Sequence, residues 1–169
     1  DYGKRSQWES VYMVVSANYR MSDLTAVVGL EHARRLDEII ADREVVATRY
    51  TKALGDLLTL ILPAGRSSWY KYIACLPERV DRSAFKQALK DRGVSLSGGV
   101  YDLPLHAQPV FEGWVNPVDY PSANELCARH ICLPIFSGMS DVQAAHVIES
   151  VREVMVGCAV FLHGTTNAS

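Results

Sequence analysis

The chain has 169 residues, 49% of them hydrophobic and 21% charged, which excludes a disordered, collagen-like or coiled-coil polypeptide and is enough for one compact domain with its own core. Seventeen Lys and Arg against 19 Asp and Glu give a formal net charge of -2, so no net positive field is present to gather nucleic acid or an anionic membrane surface. The densest basic cluster, Arg34-Arg35, is interleaved with Glu31, Asp37 and Glu38 and reads as a solvated helix face.

Cys75, Cys127, Cys132 and Cys158 form no CxxC pair and no zinc-type spacing, which points to a reduced, cytoplasmic setting. The longest apolar stretch, Val154 to Leu162, falls short of the roughly 20 residues a bilayer span requires. Neither a membrane nor nucleic acid is an expected partner.

Residues 1–20 carry Tyr2, Trp8, Tyr12, Met13, Val14 and Val15 without helical or alternating period. This opening reads as a connecting segment packed on something else, in a chain cut from a longer polypeptide. Ser22 is placed to cap a helix with apolar positions Leu24, Val27, Val28, Leu36, Ile39, Ile40, Val46, Tyr50 and Leu54. Their three- and four-residue spacing predicts one long helix or two in tandem, stopping at Gly55. A helix of that length is expected to cross a larger body or a partner subunit.

Leu58–Leu62 and Trp69–Leu76 read as strands flanking the turn residues Gly65-Arg66-Ser67-Ser68, able to pair as a hairpin. Asp81 then caps a helix bearing Phe85, Ala88 and Leu89 and ending at Gly93, with a strand expected at Val94–Leu96 before the flexible Gly98-Gly99. Two capping boxes, Ser122 with Glu125 and Ser140 with Gln143, predict two further helix starts. Between those helices Ile131–Phe136 reads as a strand interrupted by Pro134, while Val147, Ile148, Val151, Val154 and Met155 mark the core face of the last helix. Alternating strands and helices predict an α/β layer, a sheet covered by helices.

Three constellations bear on chemistry. Asn18-Tyr19-Arg20-Met21 precedes the capped helix, where an amide and a guanidinium beside the positive helix end suit a phosphate or carboxylate; the alternative is a turn-forming Asn and an ion-paired Arg. Tyr101-Asp102-Leu103-Pro104-Leu105-His106-Ala107-Gln108-Pro109 is barred from regular helix by its prolines, so it should be a shaped loop and a natural ligand wall. His106 on it could equally be a structural histidine. No Gly-x-Ser-x-Gly elbow is present, and His106, His130, His146 and His163 have no zinc-ligand spacing; His130 and His146 are expected on helices.

Taken in order, several segments resemble the DegT/DnrJ/EryC1/StrS family of sugar aminotransferases. They are Asn18-Tyr19-Arg20-Met21-Ser22, Gly29-Leu30 with Arg35-Leu36-Asp37-Glu38-Ile39, Trp69-Tyr70-Lys71-Tyr72, Tyr101 through Phe111, Cys132-Leu133-Pro134 and Met139-Ser140-Asp141. The resemblance thins past about Met155. It implies the small C-terminal domain of a fold-type I transferase dependent on pyridoxal 5'-phosphate: a long leading helix plus a small, mostly antiparallel sheet covered by helices. Residues 1–21 would be the connecting segment from a large domain, 22–155 the small domain and 156–169 a tail.

The resemblance further implies transfer of an amino group, usually from glutamate, to a keto-sugar nucleotide in a homodimer with sites at the subunit interface. Asn18 would reach the cofactor phosphate of the neighbouring subunit, Arg20 would help hold an anionic group, and Tyr101 and His106 would line the sugar-nucleotide pocket. Ser16-Ala17 stands where many relatives have Gly before the Asn. The Schiff-base lysine, the acid on the pyridine nitrogen and the stacking aromatic belong upstream of Asp1. Lys4, Lys52, Lys71, Lys86 and Lys90 sit in contexts unlike that lysine's. The chain alone is therefore expected to be inactive, needing a large cofactor domain; the competing reading is a non-catalytic split or decayed relative serving as a dimerisation or binding module. No metal is expected.

Overall fold

The computed structural model describes residues 21–96, 99–114 and 119–163, the last six by backbone alone. They divide into two compact units, one comprising the residues up to Glu38 and the segment that closes at Ala128, the other running from Ile39 and again from Arg129 onward.

In the first unit, helix α1 (Asp23–Arg34) starts where the Ser22 hydroxyl accepts the Thr25 N–H at 3.3 Å, the cap expected of that serine. It buries none of its residues, and Leu24, Val27 and Val28 are all exposed. Arg35 leaves helical geometry at φ -102°, ψ 11°, and the chain resumes as α2 (Leu36–Leu54), so the long periodic segment is two helices in tandem. Neither glycine nor proline stands at the break. The remainder of this unit holds two short 3-10 turns and helix α4 (Pro121–Arg129). Its start corrects the predicted capping box: Pro121 occupies the first helical position, which suits its fixed φ and missing N–H, and the Asn124 N–H bonds the Tyr120 carbonyl at 3.1 Å. Ser122 lies inside the helix rather than capping it.

The second unit is built on a three-stranded antiparallel sheet, β1 (Thr59–Leu60), β2 (Tyr72–Cys75) and β3 (His130–Leu133), in that spatial order. Register pairs Leu60 with Ala74, Tyr72 with Leu133 and Ala74 with Ile131. Strand alternation therefore puts Tyr72, Ala74, Ile131 and Leu133 on one face. That face joins a core with Val46, Ala47, Tyr50 and Leu54 of α2, Phe85 and Leu89 of α3 (Arg82–Asp91), and Ala144, Val147, Val151 and Val154 of α5 (Asp141–His163). Full burial of each large side chain stabilises the unit by about 1.5–3 kcal/mol.

Caps and punctuation fall largely where the residues require. Asp81 accepts the Ala84 N–H at 2.6 Å, and Gly93, at φ 79°, ends α3 in a conformation that side chains rarely adopt. Ser140 and Gln143 form the reciprocal box: Oγ accepts the Gln143 N–H at 3.2 Å and Oε1 accepts the Ser140 N–H at 2.9 Å. Pro134 ends β3 after Leu133. Two expectations fail. Val94–Leu96 is not a strand; the Val94 N–H turns back to the Leu89 carbonyl and the buried Val94 side chain seals the end of α3. His130 is not helical but opens β3, nearly fully buried, with its carbonyl taking the Arg82 Nε at 2.7 Å. Helix α5 continues through His163, past the periodic positions that end at Met155. Among the described residues no helix is long and apolar enough to cross a membrane.

Two buried tyrosines in the core of this unit make hydroxyl hydrogen bonds. Tyr50, fully buried, donates its hydroxyl to the Pro134 carbonyl at 2.8 Å and meets the Tyr72 ring edge-on at 5.2 Å. The Tyr72 hydroxyl lies 2.9 Å from Thr51 Oγ1. Burial pushes the Tyr50 phenol well above its ordinary range, and the neighbouring Tyr72 adds to the shift. Burial also raises Tyr72, against an opposing effect of the Thr51 hydrogen bond.

Candidate functional site

The loop from Tyr101 to Trp114 owes its shape to proline and backbone bonds. Pro104 initiates the first 3-10 turn (Leu105–Ala107), with Ala107 N–H to Pro104 carbonyl at 3.0 Å; Pro109 leads the second (Pro109–Phe111), with Glu112 N–H to Pro109 carbonyl at 3.2 Å. Gly113 at φ 80° then turns the chain. Gln108, 1% exposed, anchors the loop from within by donating Nε2 to the Leu103 carbonyl at 3.3 Å. A polar side chain buried in this way stiffens a segment that has no ladder of its own.

His106 sits on the first turn and is half-buried. Its Nε2 lies 2.8 Å from Asn124 Oδ1, and its ring stacks on Tyr120 with centroids 4.9 Å apart and planes 21° from parallel. Tyr120 immediately precedes α4, and Asn124 lies in its first turn. Neither was visible in the sequence, because a separation of 14 or 18 residues across a loop carries no periodic signal. Tyr101 is 49% exposed and, among the described residues, makes no hydrogen bond or ring contact. Thus His106 is braced and Tyr101 is open. Asn18 and Arg20, the expected phosphate and anion grip, lie outside the described residues. So do Ser97 and Gly98.

Two pockets open in the second unit. One, of about 230 Å³, is lined by Tyr70, Lys71, Ser95, Cys132, Leu133, Pro134 and Ile135. The other, of about 390 Å³, lies between α2 and the segment before β2, lined by residues that include Glu44, Thr48, Lys52 and Trp69. Trp69 adopts φ 46°, uncommon for a bulky side chain, and stacks on Tyr72 at 5.8 Å. A pyridoxal phosphate site needs a lysine within reach of the ring, a carboxylate at the pyridine nitrogen and donors for a phosphate dianion. The Lys71 pocket has no carboxylate in its lining, and the Lys52 pocket has neither arginine nor a helix N-terminus for phosphate. Lys52 and Glu44 also stand about 12 Å apart along one helix. Neither pocket by itself fits the cofactor. No group of three or more His, Cys, Asp or Glu among them could hold a metal ion.

Residues 2–152 match the DegT/DnrJ/EryC1/StrS aminotransferase family. The spore coat polysaccharide biosynthesis protein SpsC of Bacillus subtilis is 33% identical over 167 residues, 92% of this chain and 42% of its own length. A dTDP-4-dehydro-2,3,6-trideoxy-D-glucose 4-aminotransferase of Saccharopolyspora spinosa is 30% identical over 141 residues, 79% of this chain and 34% of its own. The crystal structure of the aminotransferase TlmJ from Streptoalloteichus hindustanus superposes with a TM-score of 0.69 at 30% identity, over 86% of this chain and 40% of that one. The chain thus spans about 40% of the length of the relatives it matches, in their C-terminal part, and the helices and small antiparallel sheet of its described residues are the fold of that part.

Proposed function

The chain belongs to the DegT/DnrJ/EryC1/StrS aminotransferase family, whose members depend on pyridoxal phosphate, and from that premise we propose that it supplies the C-terminal small domain of a sugar aminotransferase. The complete enzyme moves an amino group from an amino acid, glutamate on this reading, to a keto-sugar nucleotide. Bound cofactor would supply the electron sink for that transfer. The residues of this chain bind and orient. Asn18 grips the cofactor phosphate across a homodimer interface, Arg20 holds an anionic group, and Tyr101 and His106 line the sugar-nucleotide pocket. Residues 22–155 form the small domain, 1–21 connect it to a cofactor domain, and 156–169 form its tail.

The observation that carries this reading is that the family match runs from residue 2 to 152, across both the Asn18–Arg20 segment and the Tyr101–His106 loop. The misfit of the two pockets with the cofactor accords with it: the lysine and carboxylate that hold the ring would come from another domain, and the chain alone would not transaminate. To test this, the chain is assayed for glutamate-dependent amination of a keto-sugar nucleotide, alone and covalently joined to a cofactor domain bearing the Schiff-base lysine. Turnover confined to the joined protein is expected. Turnover by the 169-residue chain alone would overturn the proposal, and a joined, pyridoxal phosphate-loaded protein without turnover would favour a binding or dimerisation module.

A further inference from the structure

Asn124 Oδ1 is a carbonyl-type oxygen and can only accept a hydrogen bond, so its 2.8 Å contact requires His106 Nε2 to carry the proton. A neutral imidazole protonated at Nε2 has its lone pair on Nδ1, and among the described residues Nδ1 has no hydrogen-bond partner. The stacked Tyr120 ring fixes the imidazole plane from a second direction. The two braces are themselves held at a set spacing: Tyr120 immediately precedes α4, and its carbonyl accepts the Asn124 N–H at 3.1 Å, closing the helix's first turn. The loop below is pinned by buried Gln108. Among the described residues, then, one imidazole nitrogen is secured by the protein and the other has no protein partner.

We infer that Asn124 and Tyr120 are positioning residues that hold His106 in its Nε2-protonated form, leaving Nδ1 to accept a hydrogen bond from a hydroxyl or amino group of the sugar-nucleotide substrate. This rests on the reading above that His106 lines the substrate pocket. It adds a selectivity: a ligand atom facing Nδ1 must be a donor, so a carbonyl or phosphate oxygen at that point is disfavoured, since two acceptors would face each other unsatisfied.

The test has two arms. In the first, long-range nitrogen–proton NMR of the full 169-residue chain reads which imidazole nitrogen of His106 is protonated. The expected spectrum shows Nε2–H in the wild type and in Asn124→Asp, which keeps an oxygen where Nε2 points. Asn124→Leu should give a shifted, exchange-averaged imidazole; Asn124 is exposed, so this change leaves the core intact. Tyr120→Phe, which retains the stacked ring, should resemble the wild type, and Tyr120→Leu should not. An Nδ1–H form in the wild type, or an Asn124→Leu spectrum identical to it, would overturn the inference.

In the second arm, the enzyme assembled with its cofactor domain is assayed. Asn124→Leu should raise KM for the keto-sugar nucleotide about three- to tenfold, the span of one hydrogen bond, with kcat nearly unchanged. Added to His106→Ala it should change nothing further. An undiminished effect of Asn124→Leu in the His106→Ala background would refute the positioning role. If His106→Ala itself leaves KM unchanged while the NMR arm holds, it is the substrate-pocket reading of His106 that fails.

Discussion

Replacing Tyr50 by Phe removes one oxygen and leaves nearly everything else about the residue in place. The ring is fully buried, and its edge-on contact with Tyr72 at 5.2 Å does not involve the hydroxyl. What is lost is the 2.8 Å bond to the Pro134 carbonyl, the acceptor just past β3, together with a weaker 3.8 Å contact to Met139 Sδ. Leaving that acceptor without its donor costs about 1–3 kcal/mol. With a urea m-value of about 2 kcal/mol/M for a domain of this size, the unfolding midpoint should fall by roughly 0.5–1.5 M at unchanged slope. The pH dependence gives a second check. Because the folded Tyr50 phenol is raised, chiefly by burial, the unfolded chain releases its proton first, near the ordinary value of about 10. Above that pH the unfolded state binds fewer protons than the folded one, so stability falls with rising pH. Tyr50's contribution is complete below the unfolded pKa and is lost as the pH climbs toward the folded one. The phenylalanine variant lacks this loss, so the gap between the two proteins should narrow above about pH 10. A midpoint moved by less than about 0.2 M, or a gap that widens in alkali, would refute the role assigned to this bond.

Ser140→Ala removes one half of the reciprocal cap on α5 and should lower stability by about 1 kcal/mol, read from the same urea transition. Asp56 and Asp141 are held below the ordinary carboxylate range, each first by a hydrogen bond from an arginine, Arg152 and Arg49 respectively. A depressed folded pKa contributes stability that is present above the unfolded value and lost as pH falls through the folded one. The double variant Asp56→Asn, Asp141→Asn should therefore trail the wild type slightly at neutral pH, and the two should converge as pH drops below about 4; constant separation down to pH 2 would contradict this.

Elements whose cause is local were legible in the sequence. Asp81, Gly93 and the Ser140–Gln143 pair act within one helical turn, and the strand-turn-strand around Gly65–Ser68 depends on adjacent residues. The errors arose where a local signal met a competing constraint. Ser122–Glu125 has the spacing of a capping box, but Pro121 claims the first helical position and moves the start upstream. Val94–Leu96 has strand composition, yet Val94 serves the core better by sealing α3. His130 is polar and follows a helix, and only the pairing of Cys75 with it reveals a strand. The site divides the same way. Prolines announced the shaped loop bearing Tyr101 and His106, while the braces Asn124 and Tyr120 arrive through tertiary folding and leave no trace in spacing.

On the proposed function, this polypeptide shapes a pyridoxal phosphate site without supplying the covalent anchor. Incubating the purified chain with the cofactor, reducing with borohydride and mapping the modified peptides by mass spectrometry tests that claim directly. Scattered, substoichiometric labelling of Lys4, Lys52, Lys71, Lys86 and Lys90 is expected. One phosphopyridoxyl group per chain on a single lysine, Lys52 or Lys71 above all, would contradict it.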